Sequence, residues 1–160
     1  MAKTYDTKDK LPSQVEEPMA TYLTKGTALH SIHQDDFDNK IVYLNAIRRG
    51  VDYDLYARLM ETSKLSLDEM ARLLHVNSRT LRRLEDSQKL NPEMSERIIE
   101  LVRLYQIGLH VFGDLSYFNQ WLNAPILALG RETPKSFLDT SFGIDIVRDV
   151  LGRIEHGVYS

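Results

Sequence analysis

The residues best suited to specific chemistry lie in a short basic segment near the middle of the chain. Asn77 and Ser78 are followed closely by three arginines, Arg79, Arg82 and Arg83. An arginine guanidinium can bond guanine O6 and N7 bidentately, and Asn or Ser side chains can bond base edges or phosphate oxygens. The segment therefore predicts contact with a DNA groove, provided that one exposed helix face presents these side chains.

The elements that would position them lie in residues 67–85, which have the pattern of two short helices joined by a tight turn. This is the helix-turn-helix arrangement, in which the second helix enters the major groove. Ala71 is small enough for the helices to cross closely, and Leu81 and Leu84 can pack back onto the first helix. His75 occupies the turn position, where glycine is usual because the backbone adopts a positive φ. Histidine tolerates that conformation at some cost in strain.

The chain as a whole is slightly acidic, with 20 Lys and Arg against 23 Asp and Glu and a formal net charge of −3. Such a chain does not bind polyanions in general, so any nucleic-acid contact has to come from the local basic face. The partner that this face predicts is operator double-stranded DNA. Exposed arginines are also common on solvated helices, so an αα-hairpin that never contacts DNA is the alternative interpretation.

No pattern in the chain indicates catalysis. The sequence has no cysteine, which excludes thiolate nucleophiles, disulfides and cysteine-ligated zinc. It has neither a glycine-rich phosphate loop nor a catalytic-triad pattern. His30 and His33 precede Asp35 and Asp36, but this polar stretch is better explained as a linker than as a metal site. We therefore expect a protein that is not an enzyme and that uses no cofactor or metal.

Hydrophobic spacing and capping residues predict an all-α fold from about residue 41 onward. One predicted helix covers residues 53–62. A capping box of Ser66 and Glu69 predicts the start of the next helix, over 67–74, and Asn77 or Ser78 is the predicted cap of the helix after it, which ends near Asp86. In the second half of the chain, Asn91-Pro92 predicts the start of a long helix that runs to Gly113, and Ser116 the start of a helix that ends at Ala124-Pro125. Thr133-Pro134 predicts the start of another helix. Gly143 or Asp145 opens the last predicted helix, which ends at Gly157.

Composition divides the chain into three regions. Residues 1–40 are polar with little periodicity and predict a flexible or partly ordered N-terminal arm. Residues 41–90 predict the helix-turn-helix domain, and residues 91–160 a second helical domain. The first residues lack the apolar run of a secretory signal, and no stretch has the length and apolarity of a membrane span. We expect a cytoplasmic protein that does not contact a membrane.

A series of short motifs extends through the second half of the chain. In order, they are Ser95-Glu96-Arg97, Phe112-Gly113-Asp114, Trp121-Leu122, Leu129-Gly130, Thr133-Pro134, Leu138-Asp139-Thr140, Gly143, Leu151-Gly152-Arg153-Ile154 and Gly157-Val158-Tyr159. Together with the helix-turn-helix pattern, they resemble the Xre/MbcA/ParS antitoxin family, the antitoxins of RES–Xre toxin–antitoxin pairs. The resemblance covers the chain from about residue 50 to residue 160.

The resemblance implies a protein with two roles. An N-terminal helix-turn-helix binds DNA, and a C-terminal helical domain binds and silences a RES-domain toxin, which is similar to ADP-ribosyltransferases and depletes NAD. The complex represses its own operon, and the end of the antitoxin lies at the NAD pocket of the toxin. The toxin-binding residues implied for this sequence are Arg153, Glu155, His156, Gly157, Val158, Tyr159 and Ser160. Because helix-turn-helix proteins usually bind paired half-sites, we also expect a homodimer within a larger toxin–antitoxin complex.

The end of the chain is itself suited to filling a pocket. Beyond Gly157, the residues Val158, Tyr159 and Ser160 would form a short tail with an aromatic anchor and a carboxylate. Such a tail fits a cavity shaped for a ring and a phosphate, particularly one lined by arginine. The alternative is that Tyr159 packs back on the domain while Ser160 frays.

Two other functions are compatible with the sequence. A stand-alone helix-turn-helix transcriptional regulator would use its C-terminal domain only to oligomerise. An interaction adaptor would never contact DNA, and its arginines would simply be solvated. A neighbouring gene for a RES-domain protein distinguishes the antitoxin from the first, and salt-dependent operator binding distinguishes it from the second.

Overall fold

The computed structural model describes residues 37–84 and 88–157, and the fold of this part of the chain is all-α, as predicted. Its α-helices are α1 (Phe37–Arg49), α2 (Tyr53–Ser63), α3 (Leu67–Leu73), α4 (Ser78–Arg82), α5 (Pro92–Phe112), α6 (Leu115–Asn123) and α7 (Ser141–Glu155). Two 3₁₀ turns, Leu127–Leu129 and Pro134–Phe137, lie between α6 and α7. Most of the predicted arm lies outside the described residues, and α1 begins within its predicted bounds.

Helix α5, with 21 residues, forms the centre of the core. The side chain of Asn91 accepts a hydrogen bond from the Met94 amide at 2.8 Å and Pro92 follows it, so the predicted start of this helix is confirmed. Gly113 ends the helix with a φ of +72°, also as predicted. Helix α5 packs against α1, α2, α6 and α7. Its fully buried side chains include Ile98, Leu101, Val102, Leu104 and Tyr105.

Helices α5 and α6 approach closely at Gly108. A Cβ at this position would lie 2.4 Å from the ring of Phe118, so only glycine fits beneath it. The Phe118 ring packs edge-on against Tyr105, with 5.1 Å between ring centroids. The Tyr105 hydroxyl donates to Asn119 Oδ1 at 3.0 Å, and Asn119 Nδ2 donates to the Thr62 carbonyl at 2.9 Å. This contact ties α6 to both α5 and the end of α2, and burial raises the pKa of the Tyr105 phenol.

The start of α7 differs from the predicted one. The helix begins at Ser141 rather than at Gly143 or Asp145. The cause is the Thr140 side chain, which accepts a hydrogen bond from the Gly143 amide at 3.0 Å and so caps the helix earlier. The predicted start was therefore wrong by two to four residues.

The second helix of the helix-turn-helix is also shorter than predicted. Helix α4 ends at Arg82, with Arg83 as its C-cap, rather than near Asp86. The Arg83 amide donates to the Thr80 carbonyl at 3.1 Å, a bond of the i to i−3 type that tightens the last turn. The arginines thus lie on a helix of little more than one turn and on its cap.

Two further predictions about helix starts need correction. Helix α6 begins at Leu115, because Asp114 rather than Ser116 is its N-cap. Thr133 does precede a helical segment, but Pro134–Phe137 is a four-residue 3₁₀ turn without a side-chain cap. Pro134 fixes its own φ at a value that suits a helix, yet the 3₁₀ turn ends at Phe137 and α7 begins separately at Ser141.

Candidate functional site

Helix α3, the first helix of the helix-turn-helix, begins with reciprocal hydrogen bonds between Ser66 and Glu69. The Ser66 hydroxyl accepts from the Glu69 amide at 3.2 Å, and the Glu69 carboxylate accepts from the Ser66 amide at 2.8 Å. The predicted capping box is therefore confirmed. The other carboxylate oxygen of Glu69 accepts from Lys135 Nζ at 2.9 Å. Because Lys135 lies in the second 3₁₀ turn, this pair joins the helix-turn-helix to the C-terminal half.

The surroundings of Glu69 favour its charged form. The hydrogen bond from Lys135, and after it those from Ser66, lowers the pKa of Glu69 from 4.5 to about 2. The side chains of Glu69 and Lys135 are 35% and 26% exposed, so water screens the pair only in part. The carboxylate is consequently ionised at any pH near neutrality.

The turn after α3 is closed by a left-handed residue, His75, with a φ of +57°. Its amide donates to the Arg72 carbonyl at 3.3 Å, and the Val76 amide donates to the Ala71 carbonyl at 3.0 Å, which is the Schellman pattern. The positive φ predicted for this position is confirmed. The His75 ring also contacts the C-terminal half, because its Nε2 lies 2.6 Å from the backbone oxygen of Asp139. Histidine therefore adds a contact to the C-terminal half that glycine could not make.

Two of the predicted DNA-binding residues hold the start of α4. The Asn77 side chain accepts a hydrogen bond from the Thr80 amide at 2.8 Å and so caps the helix. The Ser78 hydroxyl donates to the carboxylate of Asp68 on α3. The Asn77 cap thus fixes where α4 begins, and the Ser78 contact sets the position of α4 relative to α3. Their contact with DNA remains a prediction.

The three predicted arginines, Arg79, Arg82 and Arg83, are exposed on and just after α4. Leu81, on the other side of the helix, is only 4% exposed and belongs to the core, and Leu84 packs against that core. The hydrophobic face thus docks α4, as predicted, and leaves the guanidinium groups facing water. Their planar donor groups match both phosphate oxygens and the edge of guanine.

A buried arginine on α5, Arg97, connects the two halves of the molecule, although the sequence indicated it only as part of the Ser95-Glu96-Arg97 motif and not as a contact residue. Its Nε donates to the Leu73 carbonyl at 2.9 Å, and its Nη2 donates to the Leu138 carbonyl at 2.6 Å. Its Nη1 pairs with Glu100 and donates to the Ser141 hydroxyl at 3.3 Å. The end of α3 and the start of α7 are therefore held by one guanidinium. A charged residue inside the apolar stripe of a predicted helix is the signal that points to it.

The end of α7 presents some of the residues implied to bind the toxin. Arg153 and His156 are exposed, whereas Glu155 Oε1 lies 2.9 Å from His110 Nε2 on α5 and so has an internal contact. Gly157 follows the helix with a φ of +69°, which agrees with the predicted stop. The remaining residues of that prediction, Val158, Tyr159 and Ser160, lie outside the described residues.

Two other kinds of site are absent from residues 37–84 and 88–157. Within these ranges, no group of three or more His, Asp or Glu side chains is placed to hold a metal ion. The histidines set aside in the sequence analysis, His30 and His33, lie outside them. None of the helices in this part of the chain combines the length and the apolar character needed to cross a membrane.

Comparison with known proteins gives two family matches that together span most of the described chain. Residues 43–103 match the family described as Antitoxin Xre-like helix-turn-helix domain, and residues 108–157 match the Antitoxin Xre/MbcA/ParS C-terminal toxin-binding domain. A curated relative from Yersinia enterocolitica, named Antitoxin Xre, is 34% identical over 121 residues, and one of the same name from Photorhabdus laumondii is 33% identical. Each alignment covers 74% of this chain and 82% of the relative.

Proposed function

Since this chain belongs to the Xre antitoxin family, with a helix-turn-helix domain followed by a toxin-binding domain, we propose that it silences a RES-domain toxin in the cytoplasm and represses the operon encoding the pair. The toxin in this proposal depletes NAD. The residues after Gly157, which are Val158, Tyr159 and Ser160, occupy the NAD pocket of the toxin and exclude its substrate.

The observation that carries the neutralising role is the exposed end of α7 within the toxin-binding match. Arg153 and His156 face solvent there, and Gly157 ends the helix with a left-handed φ of +69°. A segment that follows a firmly packed helix can enter a partner's cavity without unfolding the domain. Glu155 has a second role in this proposal, because its contact with His110 also secures the last turn of α7 to α5.

The exposed arginines of α4 support the repressor role. Arg79, Arg82 and Arg83 supply the contacts to operator bases and phosphates, and Asn77 and Ser78 add contacts at the start of the helix. The capping box, the Schellman turn and the docked Leu81 hold this short helix in a fixed position. We further propose a homodimer, since two such helices read half-sites about one helical turn apart.

The repressor role is tested by Arg82→Ala. This variant should bind the operator about 1–3 kcal/mol more weakly than the unaltered chain, because a bidentate or phosphate contact is lost. Toxin binding should be unchanged. Gel-shift titration of the promoter fragment at two salt concentrations measures the effect, and the unaltered chain should show a slope of about −0.9 per phosphate contacted.

Arg153→Ala is the matched control for that experiment, because it removes an exposed arginine from the other half of the molecule. It should leave operator affinity unaltered. Operator binding that survives Arg82→Ala in full, or that shows no dependence on salt, would contradict the repressor role and favour an adaptor that does not contact DNA.

The neutralising role is tested by deleting residues 158–160. The shortened chain should fold and bind the operator normally, because its described helices end before the deletion. Co-expression with the RES-domain toxin should then lower intracellular NAD, whereas the full chain should preserve it. Preserved NAD with the shortened chain would show that the tail is not the inhibitory element. Failure of the full chain to bind any RES-domain protein would instead favour a stand-alone regulator.

A further inference from the structure

The most exposed large apolar side chains of the described residues lie in the toxin-binding half. They are Phe142 (77% exposed), Leu127 (73%) and Tyr117 (60%), whereas Ile41 and Leu44 on α1 are 40% and 38% exposed. A single exposed apolar residue needs no explanation by itself, so the surroundings of each residue decide its meaning. For Phe142, the neighbouring residues on both sides in the chain make contacts that fix its backbone.

Phe142 is held on a firm backbone at the start of α7. A Cβ at Gly143 would lie 1.9 Å from the backbone oxygen of Phe137, so this turn is pressed against the preceding 3₁₀ turn. On the other side of Phe142, the hydroxyl of Ser141 accepts a hydrogen bond from the buried Arg97 at 3.3 Å. The ring itself is the part that faces water. Because its backbone is already ordered and its side chain has few torsions, covering it with a partner costs little conformational entropy.

Phe142 also shares a face of α7 with two of the residues proposed to bind the toxin. Positions 142, 149, 153 and 156 recur at the spacing of one side of a helix. The residues there, Phe142, Asp149, Arg153 and His156, are all exposed. The opposite side is buried by Ile144, Val147 and Leu151. An exposed stripe about 20 Å long therefore runs from Phe142 to the end of α7.

We propose that this stripe is a second contact with the toxin, in which the Phe142 ring fills an apolar pocket on the toxin surface. The inference rests on the proposed function, because it takes the RES-domain toxin as the occupant. The family match to a toxin-binding domain covers residues 108–157 and so includes the whole stripe, which supports the toxin over a second copy of the chain as its partner. A toxin surface that offers an apolar pocket, then a basic group for Asp149 and an acidic group for Arg153, would fit it.

The two contacts divide the work of neutralisation. The tail excludes NAD from the pocket, so losing it abolishes inhibition even when the proteins remain bound. Phe142 supplies affinity at a distance from the pocket, so losing it weakens binding but leaves full inhibition at saturating antitoxin. Affinity and maximal inhibition therefore report separately on the two ends of α7.

The test is Phe142→Ser in the full chain, with binding measured against the RES-domain protein of the same operon, inactivated at its catalytic site. Affinity should fall about 10- to 30-fold, as is usual for a buried aromatic anchor at the centre of a contact. Phe142→Leu retains an apolar side chain and should lose only a few-fold. Ile41→Ser is the matched control, because Ile41 is exposed and apolar but lies on α1, and it should bind the toxin like the unaltered chain.

Thermal unfolding and operator binding of Phe142→Ser should match those of the unaltered chain, which separates a lost contact from a lost fold. Equal toxin affinity of Phe142→Ser and the unaltered chain would overturn the inference while leaving the tail contact intact. A change in oligomeric state, with toxin affinity preserved, would overturn it in favour of self-association. No binding by the unaltered chain would overturn the proposed function together with this inference.

Discussion

The carboxylate of Glu69 accepts hydrogen bonds from two segments that are far apart in the chain. One oxygen accepts from the Ser66 amide at the start of α3, and the other accepts from Lys135 in the second 3₁₀ turn, 66 positions after Glu69. The pKa of Glu69 falls to about 2 mainly because of the Lys135 contact. A pKa lower in the folded than in the unfolded chain means that ionisation of this group favours folding.

This linkage predicts how Glu69→Gln changes the pH dependence of stability. Above pH 4.5 the folded protein benefits in full from the charged carboxylate, and the benefit is lost as the pH falls from 4.5 towards 2. The variant should therefore be less stable than the unaltered chain at pH 7, and the difference should narrow steadily over that acidic range. Urea unfolding at several pH values measures it. Lys135→Met should reproduce the trend, and a difference that stays constant with pH would contradict it.

At the scale of elements, local chemistry explains which boundaries could be predicted. The capping box of Ser66 and Glu69 and the Asn91-Pro92 start depend on residues within three positions of each other, and both are confirmed. Thr133-Pro134 shows nearly the same local pattern as Asn91-Pro92, yet it starts only a 3₁₀ turn. Packing of that turn against α6 and α7 decides its length, and such packing is not encoded in the local pattern.

Contacts between residues that are distant in the chain also explain why parts of the candidate site were missed. With the last helix expected to start at Gly143 or Asp145, Phe142 fell outside it and could not be assigned to a helix face. Arg97 bonds groups that are 24 to 44 positions away in the chain, which periodicity cannot reveal. The exposure of the α4 arginines was predictable, because it follows from the spacing of Leu81 and Leu84 on the opposite face.

At the scale of the whole molecule, the helix-turn-helix and the toxin-binding half are joined by polar contacts as well as by the core. Arg97 links the end of α3 to the start of α7, Lys135 bonds Glu69, and the His75 ring reaches the backbone of Asp139. All of these contacts involve the segment that runs from the second 3₁₀ turn to the first residue of α7. That segment therefore fixes the position of the helix-turn-helix relative to α7.

Arg97→Leu tests how much this connection contributes to stability. The variant leaves the carbonyls of Leu73 and Leu138 without their donor, and it should lower the free energy of unfolding by about 2–5 kcal/mol. Urea unfolding at neutral pH measures the loss. Arg82→Leu, at an exposed position, is the control and should change stability by no more than about 0.5 kcal/mol. Equal stability of the two variants would mean that the Arg97 contacts are dispensable.

The central position of α5 constrains how such proteins can recombine. The two family matches, 43–103 and 108–157, meet within this single helix, whose side chains serve the cores of both halves. A recombination event that exchanged one half between two relatives would have to join the two genes within the codons for α5. Part of the hybrid helix would then pack against side chains of the other relative. We therefore expect the helix-turn-helix domain and the toxin-binding domain to be inherited together, as parts of one undivided scaffold.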